Sequence, residues 1–541
     1  MAEFILKTIS SIEKVLRYEE PKTIETKGVC FKNARHNFQL VGYSTERLRE
    51  TKIKVESDIF DYITIRVVDD VPVQYTYNFD VLFDDDFCLT KKSMMLPDLL
   101  RPYEVYDLMY HPNQWTAIWV TVVAKDDYLP VGDHKITFTV YNTDGELGKI
   151  DYELSVIDKV LPSLDIFNIN WMHYDCSSEW YGLEIFSQDY YKILNEYLKN
   201  AVNHGVNTIF VPLFTPPLDT EVGTERPTAQ LVGVTLKNGE YSFDFTSLDY
   251  FIKNGLKLGM EKIEFSHLYT QWGGTKCPKI MAQTENGYEK IFGWETDSEG
   301  EGYVKFIETF LPKLVKYVYD NGYQNICYFH IFDEPQEKDL EKYSSLRKRV
   351  KSLIGDLPVI DALSDVRYAE MVDIPVSDIS CVKHFLGKCE NYGVYYFCGT
   401  SKNAPNRFIV HPALRTRMLG YIAYKLGVKG FLHWGFNFWK TELSRKNINP
   451  FLVNDAGGAF PAGDGFTVYP GENAPLDSIR NEIISDCWCD YKALLLAEKK
   501  VGRKGVLAVL DKYGVKNVNE YSLLNEDYLS IRNEIIEIIV K

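Results

Sequence analysis

The sequence predicts an α/β protein in which an N-terminal all-β sandwich precedes a TIM-like (β/α)8 barrel and a helical C-terminal tail follows it. Up to about residue 160, β-branched and aromatic runs partly alternate with polar residues. From there to about residue 500, short apolar runs alternate with amphipathic helical stretches, as in βα repeats. The remaining residues keep a helical pattern. We therefore expect domains at 1–160, 161–500 and 501–541.

The N-terminal part contains several segments with strand character, separated by turn clusters. Four of them cover residues 59–68, 114–124, 134–142 and 151–158. A β-sandwich is the simplest fold for about 150 residues of this kind. We expect it to pack against the barrel and shape one side of its cleft, or to contribute to a homodimer.

The middle part contains eight apolar runs that predict the barrel strands. They cover residues 166–172, 208–214, 262–269, 326–332, 358–364, 379–385, 394–400 and 430–436. In a TIM barrel the active site lies at the C-terminal ends of the strands. Two long loops, at about 271–302 and 438–477, follow the third and eighth runs and open on that face.

Composition excludes several classes of partner. The 541 residues carry a formal net charge of −16 and no Lys/Arg-rich run, which argues against nucleic acid. The start lacks the basic and apolar regions of a signal peptide, and no window offers about eighteen consecutive apolar residues. We therefore expect neither export nor a membrane span. Ten cysteines without a CxxC pair indicate reduced thiols and a cytoplasmic protein.

The fourth apolar run ends in two neighbouring carboxylates, Asp333 and Glu334, in the sequence YFHIFDEPQ. Side chains alternate between the faces of a strand, so both can serve one pocket only where the backbone turns. Pro335 restricts Glu334 to extended or turn conformations, which suits that geometry. Mutual repulsion raises the pKa of at least one carboxyl, which gives a proton donor beside an ionised partner.

Adjacent acids fit one kind of glycoside hydrolysis better than the others. In a standard retaining glycosidase the acid and the nucleophile face each other at about 5 Å, which normally requires different strands. In substrate-assisted hydrolysis, the 2-acetamido oxygen of the sugar attacks the anomeric carbon. One carboxylate then orients the acetamido group and the other protonates the leaving oxygen. Aromatic residues make up 14% of the chain, which also suits a carbohydrate site.

The strand end HIFDEP resembles that of glycoside hydrolase family 123 and of its larger relatives that carry the DUF4091 domain. Other similar segments follow in order. They are VYYFCGT (394–400), the stretch 415–417, GVKGFLHWGFNFW (427–439), GDGFTVYPG (463–471) and SIRNE (478–482). The resemblance covers most of residues 165–495. It implies the N-terminal sandwich and a β-N-acetylgalactosaminidase that works by substrate-assisted retention.

The resemblance also implies roles for single residues. Glu334 would be the general acid/base, and Asp333 would position and stabilise the acetamido group. Trp434, Asn437 and Trp439 would form part of the sugar platform, and the GDG match adds a further residue, Asp464. An amide such as that of Asn437 needs partners if buried, and sugar hydroxyls can supply them.

Other candidates for the pocket follow from their positions late in a strand or at the start of a loop, although each can equally be a packing residue. They are Trp171, Tyr269, Trp272, His330, Tyr396 and His433. Three histidines late in strands, with His267 as the third, are residues of metal-ligating type, but no carboxylate completes a recognisable ligand set. We therefore expect no metal and no cofactor.

The sequence thus predicts a cytoplasmic glycosidase that releases β-linked N-acetylhexosamine, N-acetylgalactosamine before others, from a small glycan or oligosaccharide. One alternative is a conventional glycosidase on another sugar, in which Glu334 works with a distant acid such as Glu264 or Asp361. Another is a non-catalytic carbohydrate-binding protein. Binding alone does not require two repelling carboxylates, which argues against the second alternative.

Overall fold

The computed structural model describes residues 3–74, 85, 87–104, 108–125, 128–400 and 403–541. These residues form a mixed α/β protein with a sheet-rich N-terminal region and a nearly closed barrel of eight parallel strands. No helix among them has both the length and the hydrophobicity to cross a bilayer.

The N-terminal region contains ten described strands. They are β1 (Phe4–Ser10), β2 (Lys27–Phe31), β3 (His36–Ser44), β4 (Leu48–Glu56), β5 (Ile63–Val73), β6 (Met94–Pro102), β7 (Leu108–Tyr110), β8 (Gln114–Val122), β9 (Gly132–Asn142) and β10 (Gly145–Ile157). They form two five-stranded sheets with the orders β1-β3-β8-β5-β6 and β2-β10-β9-β4-β7. Side chains of both sheets share one core, in which the rings of Phe38 and Tyr152 stack with centroids 3.8 Å apart. The four segments that the sequence predicts as strands overlap β5, β8, β9 and β10.

The rest of the described chain adds fourteen strands. They are β11 (Phe167–Asn170), β12 (Thr208–Val211), β13 (Gly233–Lys237), β14 (Glu240–Asp244), β15 (Lys262–Phe265), β16 (Ile280–Thr284), β17 (Gly287–Phe292), β18 (Cys327–Tyr328), β19 (Ile360–Leu363), β20 (Ile374–Asp378), β21 (Gly393–Tyr395), β22 (Gly430–His433), β23 (Val468–Pro470) and β24 (Pro475–Asp477). It also contains eight α-helices. They are α1 (Tyr174–Tyr181), α2 (Gln188–Asn203), α3 (Thr246–Lys257), α4 (Glu301–Asp320), α5 (Leu340–Ile354), α6 (Ala413–Leu426), α7 (Ile479–Lys512) and α8 (Asn525–Val540).

Eight of these strands pair in parallel in the order β18-β15-β12-β11-β22-β21-β20-β19. A parallel bridge between Phe329 and Val359 joins the two ends of this sheet. The Phe329 N–H donates to the Pro358 carbonyl, and the Ile360 N–H donates to the Phe329 carbonyl, both at 2.9 Å. Every residue of β11, β12 and β22 is buried, because a parallel sheet is covered on both faces.

The sixth barrel strand lies earlier than the sequence predicts. The expected run was 379–385, whereas the strand is β20, which contains Pro375. Proline within an apolar run normally argues against a strand. Pro375 therefore makes the true strand look unsuitable and favours the segment 379–385 instead. The buried apolar residues of the expected run recur at every third position, which is a helical spacing. They are Ile379, Val382 and Phe385.

The two long loops on the C-terminal face carry structure of their own. The hairpin β16–β17 of the first loop joins the hairpin β13–β14 in a four-stranded sheet, and β23–β24 belongs to the second loop. Arg480, at the start of α7, donates to the Gly463 and Phe466 carbonyls at 2.6 Å and to Asp98 of the N-terminal region at 2.9 Å. Gly463 has a φ of 89°, and a Cβ there would lie 2.7 Å from Ile409. The N-terminal region therefore fixes the loop that carries Asp464.

Candidate active site

A pocket opens where the C-terminal ends of the barrel strands meet their loops. It encloses about 770 Å³, including the solvent at its mouth. The lining residues are Trp171, Leu218, Asp219, Gln271, Trp272, Asp333, Glu334, Ala362, Tyr395, Phe397, Cys398, Leu432, Trp434 and Phe460. Aromatic walls with a few carboxyl and amide groups suit a ligand with both apolar faces and hydroxyl groups.

Asp333 and Glu334 reach this pocket because the chain turns sharply after β18. Glu334 has a φ of 46°, in the left-handed region that residues other than glycine rarely adopt. Its N–H donates to the Ala362 carbonyl at 3.1 Å, and the Trp272 N–H donates to the Asp333 carbonyl at 3.4 Å. Such a conformation costs about 1–3 kcal/mol and is commonly found at functional sites. The turn brings both carboxyl groups to one pocket.

The carboxyl group of Glu334 has a specific partner. The Tyr395 hydroxyl donates to Glu334 Oε1 at 2.8 Å and lies 3.1 Å from the Ser364 hydroxyl. Burial raises the pKa of Glu334, and the hydrogen bond from Tyr395 partly offsets that rise because it favours the ionised form.

Asp333 is in a different electrostatic environment. Burial and the neighbouring charge of Glu334 raise the pKa of Asp333 well above its ordinary value, although the positive charge of His330 acts in the opposite direction. In the described part of the chain, no group donates a hydrogen bond to its carboxyl oxygens. The two carboxyl groups therefore differ in their partners, since Glu334 accepts a hydrogen bond from Tyr395 and Asp333 accepts none from the described residues.

Beneath the pair, a histidine lies between two fully buried carboxylates. His330 Nδ1 is 3.0 Å from Asp361 Oδ1, and His330 Nε2 bonds to Glu264 Oε1. Tyr343 donates to the second oxygen of Asp361 at 2.5 Å, and the Trp171 indole donates to Glu264 at 2.9 Å. Burial alone would lower the pKa of His330, but the two carboxylates outweigh it and raise that pKa to about 9. The cluster also fixes the Trp171 ring at the pocket floor.

Replacing His330 by glutamine is expected to lower the free energy of unfolding by about 3–5 kcal/mol, because two buried carboxylates lose their cationic partner. Urea denaturation of the wild type and the variant at pH 7 measures this difference. The matched control is His384→Gln, which changes an exposed histidine and is expected to alter stability by less than about 0.5 kcal/mol.

The effect of His330 on stability is expected to depend on pH. The pKa of His330 rises from 6.5 to about 9 on folding, so its protonation stabilises the fold fully below pH 6.5. This stabilisation is lost as the pH rises through about 9. The gap in unfolding free energy between the wild type and His330→Gln should therefore narrow over that interval. A gap that stays constant would contradict a charged His330.

On the opposite side of the pocket, Trp434 is held by a buried acid. Its indole donates to Asp464 Oδ2 at 3.0 Å. Burial raises the pKa of Asp464 to about 7. His433 lies next to this pair, with Nε2 3.6 Å from Asp464 Oδ1, while its Nδ1 accepts from the Gly435 N–H at 3.0 Å. Asp464, His433 and His330 therefore lie behind the pocket wall, and Trp434 is part of it.

Four further residues that the sequence suggests for the pocket do not line it. The Asn437 amide bonds to the backbone of His173, accepting at 2.8 Å and donating at 3.2 Å. The Trp439 indole donates to the Val468 carbonyl at 3.3 Å. The rings of the two tyrosines, Tyr396 and Tyr269, are fully buried against aromatic neighbours. Trp171, Trp272 and Trp434, in contrast, line the pocket together with Asp333 and Glu334.

Sequence reasoning missed several lining residues, which come from the ends of barrel strands and from the loops that follow them. They are Leu218, Asp219, Gln271, Ala362, Tyr395, Phe397, Cys398, Leu432 and Phe460. For Tyr395 a signal existed: strand residues alternate between faces, so of the neighbours Tyr395 and Tyr396 only one can face the pocket. Burial raises the pKa of Asp219 to about 7.

Three groups among the described residues bring together side chains of metal-binding type. In two of them the carboxylates already pair with arginine, as Asp85 does with Arg415 and Glu482 with Arg35. A cation would compete with those guanidinium groups. The third group, His267 with His330 and Asp361, shares its ligand atoms with the buried carboxylate cluster under Asp333.

Comparison with known proteins gives one family. The model of the glycoside hydrolase 123 catalytic domain matches residues 171–497, which contain the whole pocket lining. None of the curated proteins compared matches this chain.

Comparison with solved structures finds similar folds at low sequence identity. A family 123 glycoside hydrolase from Clostridium perfringens that hydrolyses glycolipid glycans has a TM-score of 0.73 and 15% identity, over 99% of this chain and 98% of that one. That likeness shows the fold. Bacteroides uniformis β-glucuronidase 2 has a TM-score of 0.32 and 11% identity, over 87% of this chain and 48% of that one. A family 39 glycoside hydrolase from Bacteroides cellulosilyticus has a TM-score of 0.31 and 10% identity, over 85% and 81% of the two chains.

Proposed function

The chain belongs to glycoside hydrolase family 123, and from that membership we propose that it releases a terminal β-linked N-acetylhexosamine with retention of configuration. We propose N-acetylgalactosamine as the preferred sugar. The 2-acetamido group of the substrate acts as the nucleophile, Glu334 as the general acid/base and Asp333 as the group that orients the acetamido group.

One observation carries this proposal: two carboxyl groups from adjacent residues line one pocket. The distant acids that a conventional mechanism would use, Glu264 and Asp361, are fully buried and bonded to His330 beneath that pocket. Asp219 lines the pocket as well and is the remaining acid for a conventional reaction. The Asp333–Glu334 pair fits assistance better, because neighbouring residues on one turn can act on neighbouring substituents of one sugar.

In the first step, the acetamido oxygen attacks the anomeric carbon and the glycosidic C–O bond breaks. Glu334 gives its proton to the leaving oxygen, and an oxazolinium ion forms. Asp333 accepts a hydrogen bond from the acetamido N–H and stabilises the positive charge that develops there. In the second step, Glu334 takes a proton from water, the water oxygen attacks the anomeric carbon, and the acetamido group is restored. Two inversions give net retention.

This mechanism needs the proton on Glu334 and a negative charge on Asp333. Substrate binding favours that arrangement. The acetamido N–H donates to Asp333 and favours its ionised form. Without the substrate, no described group donates to that carboxylate. The proton then belongs to Glu334, since two such close carboxyl groups titrate as one system.

Replacing Tyr395 by phenylalanine is expected to move the alkaline limb of the kcat/KM profile upward by about 0.5–1 pH unit. The Tyr395 hydroxyl favours ionised Glu334, so its loss raises the pKa of Glu334 and keeps the acid protonated to higher pH. Hydrolysis of an aryl N-acetylgalactosaminide from pH 5 to 10 measures the shift. The matched control is Tyr396→Phe, which removes a hydroxyl outside the pocket and should leave the limb in place. A limb that moves downward in Tyr395→Phe would contradict the assignment.

The proposal extends to the fold and to the source of the sugar. We propose that the eight parallel strands form a TIM-type (β/α)8 barrel, supported by the Phe329–Val359 bridge, and that the N-terminal sheets form a β-sandwich. The similar Clostridium perfringens enzyme hydrolyses glycolipid glycans. We therefore propose a short glycan or a glycolipid-derived oligosaccharide as the substrate.

The experiment compares wild-type hydrolysis of the p-nitrophenyl β-glycosides of N-acetylgalactosamine, N-acetylglucosamine and galactose. Assistance predicts turnover of the N-acetylated sugars, little turnover of the 2-hydroxy sugar and competitive inhibition by a thiazoline analogue of the oxazolinium. Comparable turnover of galactoside and N-acetylgalactosaminide would favour a conventional hydrolase instead. Sugar binding without turnover, unchanged in Glu334→Gln, would indicate a carbohydrate-binding protein.

A further inference from the structure

Two polar residues on the far side of the pocket are not used by the catalytic pair. Gln271 follows β15 and Asp219 follows β12, and both line the pocket. Gln271 is 5% exposed, and its amide nitrogen Nε2 has no hydrogen-bond partner among the described residues. A buried donor without a partner is unfavourable unless a ligand or water satisfies it. This makes Gln271 a candidate to bind a group of the substrate.

The two side chains are fixed to each other and to a third loop. The Asp219 N–H donates to Gln271 Oε1 at 2.8 Å. This bond fixes the orientation of the amide and leaves Nε2 as its unbonded atom. The Leu443 N–H donates to Asp219 Oδ2 at 3.1 Å, and the Ser444 hydroxyl donates to the Asp219 carbonyl at 2.6 Å. In the described chain, Asp219 Oδ1 has no such donor. The pair thus offers one donor, Gln271 Nε2, and one acceptor, Asp219 Oδ1.

The backbone around this pair is strained in the same way as at the catalytic turn. Asp219, Trp272, Leu443 and Ser444 have φ values of 39°, 58°, 56° and 56°. None is glycine, so each occupies the left-handed region at a cost that surrounding contacts must offset. Three loops therefore contain residues in an unfavourable conformation. Together these loops hold Asp219 beside Gln271.

The position of Gln271 relative to Asp333 indicates which part of a sugar it meets. Gln271 directly precedes Trp272, whose N–H bonds to the Asp333 carbonyl at 3.4 Å. In the proposed reaction Asp333 binds the substituent on C2 of the ring. With C2 at Asp333 and C1 at Glu334, the C3 and C4 hydroxyls are the ring substituents that remain for the other polar groups of the pocket, Gln271 and Asp219.

We propose that Gln271 and Asp219 form a subsite for two neighbouring hydroxyls of the sugar, with Gln271 donating to the C3 oxygen and Asp219 accepting from the C4 hydroxyl. The inference rests on the proposed function, because that function sets the orientation of the ring. The ligand class is a pyranose with a vicinal diol at C3 and C4, next to the acetamido-bearing C2. Since N-acetylgalactosamine and N-acetylglucosamine differ only at C4, Asp219 is then the residue that discriminates between them.

The test measures kcat/KM for wild type, Gln271→Met and Asp219→Asn on three aryl β-N-acetylgalactosaminides: the parent sugar, its 3-deoxy analogue and its 4-deoxy analogue. Methionine keeps the length of glutamine without its amide, and asparagine keeps an acceptor for the Leu443 N–H. On the parent sugar, Gln271→Met is expected to lose about tenfold in kcat/KM, and the loss should vanish on the 3-deoxy analogue. Asp219→Asn should lose a similar factor in kcat/KM on the parent sugar, and that loss should vanish on the 4-deoxy analogue. It should also reduce the ratio of kcat/KM between N-acetylgalactosamine and N-acetylglucosamine substrates.

A control and the contrary outcomes complete the test. Gln283→Met alters an exposed glutamine on β16 and should leave all three substrates unchanged. Equal losses on parent and deoxy substrates would mean a merely structural role, and would overturn the subsite while leaving the proposed function intact. Wild-type enzyme that hydrolyses both deoxy analogues as fast as the parent would overturn it without any variant. Fast hydrolysis of the 2-hydroxy sugar would instead refute the proposed mechanism.

Discussion

Glu334→Gln is expected to reduce kcat/KM by about 10²–10⁴ on a substrate with a poor leaving group, such as a disaccharide. Glutamine keeps the size of the side chain and can still accept from the Tyr395 hydroxyl, but it has no proton to give to the leaving oxygen. An aryl leaving group of low pKa departs without that proton, so the loss should be smaller on a dinitrophenyl glycoside. Steady-state kinetics on both substrates measures the difference.

The control for this variant lies three residues further along the chain. Glu337 is exposed and pairs with Arg367 on the surface, so Glu337→Gln changes the same kind of group outside the pocket. We expect its kcat/KM to equal that of the wild type on both substrates. If Glu334→Gln lost the same factor on both substrates, Glu334 would not be the acid that protonates the leaving group.

Asp333→Asn is expected to reduce kcat/KM by about 10²–10³ on both substrates alike. The acetamido group must be oriented and its positive charge stabilised whichever leaving group departs, so the loss should not depend on the leaving group. Asparagine cannot carry the negative charge, and its amide can present a donor where the acetamido N–H needs an acceptor. The same kinetic measurements used for Glu334→Gln give the result.

Asp356→Asn is the matched control, because Asp356 is exposed on the turn after α5. It is expected to leave kcat/KM unchanged. A variant Asp333→Asn with near wild-type activity would contradict the assigned role, and it would favour a reaction in which Glu334 works with Asp219. In that case Asp219→Asn should lose activity on every substrate, including both deoxy sugars.

The features that the sequence predicts well depend on local patterns. The acid pair could be recognised because two carboxylates follow an apolar run and precede Pro335, and this arrangement has no packing role. Seven of the eight predicted barrel runs overlap an observed strand, because buried parallel strands are short apolar runs. The exception at 379–385 shows the limit of that pattern: apolar residues at every third position in a turn and 3₁₀ helix look like a strand if only composition is considered.

Side-chain direction was harder to predict than strand position. Tyr396 was a candidate for the pocket, but Tyr395 is the residue that donates to Glu334. A shift of one residue along a strand moves a side chain to the opposite face, and strand boundaries from sequence are uncertain by more than that. Asn437 was misplaced for another reason: its amide bonds to the backbone of His173 on a neighbouring loop, a contact that exists only in the folded chain.

Asp219 and Gln271 could not be found from the sequence because their significance comes from contacts between three loops. Asp219 lies in a loop of ordinary composition, and nothing near it in sequence indicates that Leu443 will bind its carboxylate. The left-handed backbone conformations of Asp219 and Trp272 also carry no local signal, since neither residue is glycine. Contacts of this kind appear only in the folded chain.

The role of the acetamido group can be tested on the substrate without changing the protein. The measurement is kcat/KM of the wild type on p-nitrophenyl N-acetylgalactosaminides whose acetyl group carries zero, one, two or three fluorine atoms. Fluorine withdraws electrons from the acetamido oxygen and weakens it as a nucleophile, while the leaving group stays the same. Assistance predicts that kcat/KM falls steeply with each added fluorine. A rate that does not change across the series would contradict attack by the acetamido oxygen and would require a nucleophile from the protein.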